Sequence, residues 1–236
     1  MTVDAKYWAV VPAAGVGRRM GGAVPKQYRE LAGRSVLDNT LSRLLDHSGI
    51  EGVALVLGTE DGWWPGSAYA EHPAIIRAEG GAERCHSVLN GLIALGNRVD
   101  NDDWVLVHDA ARPCLRRADI DRLIGTLADH PVGGLLGVPV RDTMKRTGAT
   151  GIVSATVDRD GLWHAYTPQV FRFGLLHRAL RAALEQGQLV TDDAAAVELL
   201  GLAPLLVEGH ADNIKITRPE DLPLARFYLA QQGRLC

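Results

Sequence analysis

The chain has 236 residues, of which 47% are hydrophobic and 22% are charged, and its formal net charge is −3. This length and composition are those of a globular protein with a sizeable core, and a weakly acidic chain has no overall affinity for nucleic acid. Its apolar runs are far too short to span a membrane. Three widely spaced cysteines and an N-terminus unlike a signal peptide lead us to expect a cytoplasmic protein with reduced thiols.

The first predicted element is a buried strand over residues 8–11, and a phosphate-binding loop follows it. Small residues keep the backbone of this loop open to a ligand, namely Pro12, Ala13, Ala14, Gly15 and Gly17. Positive charge for a triphosphate comes from Arg18, Arg19 and Lys26. Met20 stands where a dinucleotide-binding loop needs its third glycine, and no Walker sequence is present. The alternative is a basic surface loop.

Strand-like and helix-like segments alternate along the rest of the chain. Further strands are predicted over residues 52–57, 74–77, 104–108, 133–138 and 204–207. Helices are predicted over residues 37–45 with Ser35 as the cap, 84–95, 118–127, 173–184 and 219–228, and residues 191–193 are typical of a helix N-cap. This alternation predicts a Rossmann-like, three-layer α/β fold with a mostly parallel sheet. Ligands of such sheets bind at the carboxyl ends of the strands.

Residues 140–167 interrupt the alternation. A turn over residues 147–151 separates two extended pieces, 142–146 and 152–157, which predicts a β-hairpin. Because an isolated two-stranded ribbon is barely stable in water, we expect this arm to pack on a second subunit of a homodimer. The chain is therefore interpreted as a single domain, 1–236, with 140–167 as a dimerisation arm. A surface insertion without a partner is the alternative.

Two polar clusters follow predicted strands. Asp109 and Arg112 come directly after the strand 104–108, and a carboxylate at that place can hold Mg²⁺ beside phosphate oxygens. Gly81, Arg84 and Ser87 follow the strand 74–77, where open backbone and one hydroxyl could bind a pyrimidine base. The alternatives are a salt-bridged turn for the first cluster and an ordinary strand-to-helix turn for the second.

Two further segments carry candidate phosphate ligands. The alternation over residues 213–217 predicts a strand that presents Lys215 to a phosphate, with Asp212 as a second metal carboxylate. In the arm, Thr143 and Arg159 suit a phosphomonoester. A half-exposed strand and an ion pair of Arg159 with its acidic neighbours are the respective alternatives.

Together, residues 12–20, 25–28, 107–113, 140–145, 157–163, 167–169 and 211–219 resemble the 2-C-methyl-D-erythritol 4-phosphate cytidylyltransferase family. The resemblance implies a nucleotidyltransferase fold and a homodimeric enzyme of the non-mevalonate isoprenoid pathway. Such an enzyme uses CTP, Mg²⁺ and methylerythritol phosphate, and releases pyrophosphate.

The residues and the family resemblance together imply the following expected roles. The catalytic residues are Arg19, Lys26, Arg159 and Lys215. The nucleotide-binding residues are Pro12, Ala13, Ala14, Gly15, Gly17, Gly81, Arg84, Ser87 and Asp109. The substrate-binding residues are Ala110, Arg112, Thr143, Arg159, Thr167 and Lys215, of which Thr143 and Arg159 would reach across the dimer. The metal ligands are Asp109 and Asp212. Ala82 departs from the family, whose members often have Asp there.

Three other functions remain open at this point. A cytidylyltransferase for another polyol phosphate, such as ribitol 5-phosphate, would use the same phosphate ligands. A non-catalytic CTP-binding protein would need fewer cations. A dinucleotide-dependent oxidoreductase is the most distant alternative.

Overall fold

The computed structural model describes residues 5–15, 17, 20–21 and 23–234. Its strands are β1 (Tyr7–Pro12), β2 (Glu30–Leu31), β3 (Arg34–Ser35), β4 (Ile50–Leu57), β5 (Ile75–Glu79), β6 (Trp104–Val107), β7 (Gly133–Pro139), β8 (Met144–Thr147), β9 (Val153–Val157), β10 (Trp163–Arg172) and β11 (Leu205–Glu208). Its α-helices are α1 (Val36–Leu45), α2 (Arg84–Leu95), α3 (Arg117–Leu127), α4 (Phe173–Glu185), α5 (Asp193–Glu198) and α6 (Asp221–Gln231). No helix in these ranges is long and apolar enough to cross a membrane.

Seven strands form the central sheet in the order β11-β7-β10-β6-β1-β4-β5. Strand β1 pairs in parallel with β4 and β6, β4 with β5, and β7 with β11. Within the central sheet, β10 is the one described strand that runs antiparallel to its neighbours, β6 and β7. The prediction of a mostly parallel sheet is confirmed.

The sheet is buried on both faces, and alternate residues of one strand point to opposite layers. In β1, Ala9 and Val11 pack in the cluster that contains α1 and α3. Trp8 and Val10 pack on the other face, against α2, α4 and α5. The three-layer α/β architecture is therefore confirmed, and it explains why the parallel strands are continuous apolar runs.

Most predicted elements are confirmed to within about two residues. Ser35 caps α1, since its side-chain oxygen accepts a hydrogen bond from the amide of Asp38 at 2.9 Å. Asp192 caps α5 by accepting from the amide of Ala195 at 2.9 Å. These side chains satisfy backbone donors that the first helical turn leaves without a partner.

Strand β10 is the main element that the sequence did not predict. It lies at the end of the arm segment, and polar Thr167 and Gln169 are buried in it together with Pro168. Proline and buried polar residues are not typical of a central strand. Here Thr167 and Gln169 are stable in the interior because they form hydrogen bonds with residues distant in sequence.

The predicted strand over residues 213–217 is wrong. The segment forms no strand, although the amide of Ile216 donates to the carbonyl of Ala111 at 2.8 Å. Asn213 is fully buried instead of facing outward, because its side chain donates to the carbonyl of Thr167 at 2.8 Å. A specific tertiary hydrogen bond thus replaces the period-2 pattern.

The predicted hairpin is confirmed as β8 and β9, which form a separate two-stranded sheet. Nearly all its side chains are exposed, among them apolar Ile152 and Val153. Across the pair, the ammonium of Lys145 donates to the hydroxyl of Thr156 at 2.6 Å. The hairpin therefore protrudes from the central sheet as an arm.

Candidate active site

A cleft of about 420 Å³ opens at the carboxyl ends of β1, β5 and β6. Among the residues described, its lining is formed by Pro12, Ala13, Ala14, Gly15, Lys26, Gln27, Gly81, Ala82, Glu83, Arg84, Ser87, Asp109, Ala110, Ala111 and Lys215. Eleven of these were predicted as site residues from the sequence: Pro12, Ala13, Ala14, Gly15, Lys26, Gly81, Arg84, Ser87, Asp109, Ala110 and Lys215. Segments far apart in sequence meet here because parallel strands end on one edge.

The loop after β1 forms one wall of the cleft. Gly17 has a φ of +64°, and a Cβ there would lie 2.8 Å from the side chain of Lys26. Glycine is favoured at this position, since a side chain would strain the backbone and would displace that of Lys26. Gln27, which the sequence analysis did not select, donates to the carbonyl of Ala13 at 2.7 Å and so joins the loop to the turn that bears Lys26. Predicted Arg19 lies outside the described residues.

The opposite wall is the turn between β5 and α2. A Cβ on Gly80 would lie only 2.2 Å from the Cβ of Ala14, so glycine lets the two walls meet closely. The hydroxyl of Ser87 accepts from the amide of Gly81 at 3.1 Å and donates to the carbonyl of Glu83 at 3.2 Å. Ser87 therefore shapes the turn, in which the amide of Gly80 also donates to the carbonyl of Leu57 at 2.7 Å.

Asp109 lies at the centre of a cluster of three cations. Its carboxylate oxygens lie 2.8 Å from Lys215 Nζ, 3.1 Å from Arg84 Nε and 3.6 Å from Arg112 Nε. Burial alone would raise the pKa of Asp109, but the positive charges of Arg84, Lys215 and Arg112 outweigh it and hold the pKa well below its usual range. Asp109 is therefore an anion that orients cations on the cleft wall.

Arg84 is held from two sides. Besides Asp109, its guanidinium donates to Asp193 at 2.9 Å, and the Asp193 side chain is fully buried. The side-chain oxygen of Gln169 accepts from the amide of Asp193 at 2.9 Å, while its nitrogen donates to Asp192 at 3.0 Å. The sequence analysis interpreted residues 191–193 only as a helix cap. The role of Asp193 had no local signal, because its partner is 109 residues away.

Beneath Asp109 lies a buried hydrogen-bond network. The amide of Asp109 donates to the hydroxyl of Thr167 at 3.0 Å, and that hydroxyl lies 3.0 Å from His108 Nδ1. His108 Nε2 lies 3.1 Å from the carbonyl oxygen of Arg112, whose guanidinium donates to the carbonyl of Asn213 at 2.7 Å. Thr167 and Arg112 were predicted to bind substrate, and within one protomer both are buried below the cleft and absent from its described lining.

The remaining predicted residues lie away from the cleft lining described for one protomer. Thr143 and Arg159 are on the exposed arm, and Arg159 donates to the carbonyl of Arg141. Asp212, predicted as the second metal ligand, instead accepts from Arg116 at 2.6 Å and from Gln232 at 2.9 Å. Asp212 is not among the described residues that line the cleft.

A model of the family described as IspD, 2-C-methyl-D-erythritol 4-phosphate cytidylyltransferase, matches residues 7–231. The chain belongs to this family. It is 55% identical over 226 residues to a relative of that name from Pseudomonas entomophila, covering 95% of this chain and 96% of the relative. A relative of the same name from Pseudomonas putida strain GB-1 is 57% identical over 221 residues, covering 93% and 94%.

Solved structures of the family agree with this fold. A crystal structure of 4-diphosphocytidyl-2C-methyl-D-erythritol synthase matches with a TM-score of 0.84 and 40% identity, covering 97% of this chain and 100% of its own. The IspD structure from Francisella tularensis matches with a TM-score of 0.84 and 37% identity, covering 95% and 100%. The family resemblance of the sequence and the nucleotidyltransferase fold are thus confirmed over nearly the whole chain.

Proposed function

We propose that the cleft transfers the cytidylyl group of CTP to 2-C-methyl-D-erythritol 4-phosphate and releases pyrophosphate, as a step of the non-mevalonate isoprenoid pathway. One observation carries this proposal: Lys26 and Lys215 line the same cleft as Ala14 and Gly15 of the loop after β1, in a chain that matches the family over residues 7–231. Open backbone amides and flexible ammonium groups are suited to a triphosphate and a second phosphate.

The chemistry proposed is an in-line displacement. A phosphate oxygen of the acceptor attacks the α-phosphorus of CTP, the new oxygen–phosphorus bond forms, and the bond to pyrophosphate breaks. Both reactants are anions, so alignment and neutralisation are the main tasks. Lys26, with Arg19, would stabilise charge on the α-phosphate and the leaving group, and Lys215 would hold the acceptor phosphate. A general base is not needed, because a phosphate dianion is already a nucleophile.

Mg²⁺ is part of the proposal, with Asp109 as a protein ligand and Asp212, which accepts from Arg116 and Gln232, as the predicted second carboxylate. In the described residues no group of three or more His, Cys, Asp or Glu could hold a metal ion. The remaining ligands would therefore be triphosphate oxygens and water, which suits a cation that prefers one or two carboxylates and phosphate oxygens. When bound, Mg²⁺ would neutralise and fold the triphosphate.

A homodimer built through the arm is also proposed. The hairpin exposes Ile152, Val153 and Met144, and a two-stranded ribbon with exposed apolar residues gains stability from packing on another surface. In that assembly Thr143 and Arg159 would reach the acceptor phosphate of the partner's cleft.

A cytoplasmic location completes the proposal, since Cys85 and Cys114 are buried free thiols, as in proteins of reducing compartments.

The proposal is tested by measuring pyrophosphate release from CTP and Mg²⁺ in three parallel reactions. These contain methylerythritol phosphate, ribitol 5-phosphate, or no acceptor. We expect release that depends on methylerythritol phosphate. A preference for ribitol phosphate would keep the mechanism and change the substrate, whereas CTP binding without release in any reaction would indicate a non-catalytic binding protein.

A further inference from the structure

The ring of His108 is fully buried at the end of β6, directly before Asp109. The ring is absent from the cleft lining described above, and the proposed cytidylyl transfer assigns it no role. An imidazole in the interior is costly unless both of its nitrogens find partners. Here they do, with the carbonyl of Arg112 at 3.1 Å and the hydroxyl of Thr167 at 3.0 Å.

The partners determine which groups donate. A carbonyl oxygen can only accept, so Nε2 of His108 carries a hydrogen and donates to Arg112. Nδ1 of the neutral ring then accepts from the Thr167 hydroxyl, whose oxygen lies 3.0 Å away. The oxygen of that hydroxyl then accepts from the amide of Asp109 at 3.0 Å.

The network holds both ends of one tight turn. Residues 109–112 form this turn, in which the amide of Arg112 donates to the carbonyl of Asp109 at 3.0 Å. His108 binds its far end through the carbonyl of Arg112, and Thr167 binds its near end through the amide of Asp109. The orientation of Asp109 in turn determines where the ammonium of Lys215, 2.8 Å away, lies in the cleft.

We propose that His108 is a positioning residue for cytidylyl transfer, holding the turn 109–112 on β10 through Thr167 so that Asp109 and Lys215 face the cleft. This inference rests on the proposed function. It requires that the side chains of His108 and Thr167 act as one unit, because each bonds the other and neither alone holds both ends of the turn.

The test compares His108→Gln, Thr167→Val, Thr167→Ser and the double variant His108→Gln/Thr167→Val with the wild-type protein. Thr167→Val removes the hydroxyl with little change of shape, whereas Thr167→Ser keeps it. We expect His108→Gln and Thr167→Val each to lower kcat by roughly 10- to 100-fold, since small misplacements of charged groups are costly in an active site. Thr167→Ser should recover most of the loss, and the double variant should be no worse than the poorer single variant.

His47→Gln is the matched control. His47 is also buried and uses both nitrogens, one on Asp121 at 2.9 Å and one on the amide of Gly49 at 3.1 Å, but it lies between α1 and α3 away from the cleft. This variant should lower the melting temperature and leave kcat nearly unchanged. A kcat of His108→Gln equal to that of His47→Gln, or additive losses in the double variant, would overturn the inference.

Hydrogen exchange of the Asp109 amide gives a measurement that needs no activity. We expect slow exchange in the wild-type protein and Thr167→Ser, and fast exchange in Thr167→Val and His108→Gln. Equal protection in all four proteins would overturn the inference. If His108→Gln folds poorly, equal protection of the amide in Thr167→Val and Thr167→Ser would overturn it as well. A wild-type protein inactive on methylerythritol phosphate but with this exchange pattern would reject the proposed function and leave the positioning network in place.

Discussion

The cluster around Asp109, here called the floor of the cleft, and the arm differ in how their charged residues are held. Asp109 is nearly buried and has three cations within 3.6 Å, with a second layer of hydrogen bonds beneath it. In the arm, Arg159 is exposed and its described hydrogen bond is to the backbone of Arg141 in the same segment. The floor is therefore organised within one chain, whereas the arm residues need another surface before they can be organised to the same degree.

The largest expected effect is the loss of a cation from the cleft. Lys26→Ala should lower kcat by about 100-fold or more, because removing one group that stabilises transition-state charge typically has this effect. Lys6→Ala is the control, since Lys6 is exposed and lies just before the amino end of β1, whereas the cleft lies at the carboxyl end of this strand. Steady-state pyrophosphate release measures both variants. Near-normal turnover of Lys26→Ala would contradict the role assigned to Lys26.

The next effect is on stability, and it compares a buried with an exposed carboxylate. Asp109→Asn should lower the free energy of unfolding by about 3 kcal/mol, because it leaves Arg84, Arg112 and Lys215 close together without their shared anion. Asp142→Asn in the arm should change it by less than about 0.5 kcal/mol, as is usual at exposed sites. Urea unfolding monitored by circular dichroism measures both, and equal changes would mean that the cluster contributes little.

The buried floor should also respond to acid. The pKa of His108 is about 4 in the folded protein and about 6.5 when unfolded, so the unfolded chain binds a proton first as the pH falls. Stability from this group is therefore complete above pH 6.5 and is lost toward pH 4, by about 2 kcal/mol between pH 7 and pH 5. Urea unfolding at several pH values should show a smaller loss in His108→Gln. The same loss in both proteins would assign the acid sensitivity to other groups.

The smallest expected effect concerns the arm, and it is the partial recovery of transferase activity when two inactive variants form a heterodimer. If Arg159 serves the partner's cleft, a heterodimer of Lys26→Ala and Arg159→Ala chains contains one cleft with both cations intact. We expect such heterodimers to recover about half of the wild-type activity, although each variant alone is poorly active. Differently tagged chains allow the heterodimer to be purified and assayed. A purified heterodimer as inactive as the single variants would mean that Arg159 acts in its own chain or not at all.

Sequence analysis predicted those site residues whose signal lies in a short stretch of chain and missed those held by distant partners. Residues 12–15 of the first loop, together with Gly81, Arg84, Ser87 and residues 109–110, were predicted to share a site, and the structure brings them to one cleft. Each of these segments carries its signal locally, as small residues or charges directly after an apolar strand. Asp193, Gln27 and His108 carry no such signal, because their importance comes from partners that are distant in sequence or side chains that bond to backbone.

The sequence by itself determined the α/β architecture, the small-residue loop after β1 and the family, because hydrophobic periodicity, glycines and clustered cations act over short stretches of chain. Tertiary structure alone decided that β10 enters the sheet with Thr167 and Gln169 buried, and that residues 213–217 leave the strand pattern. The physical reason is common to both. A buried polar group is stable only where a distant partner satisfies it, and only the folded chain brings those partners together.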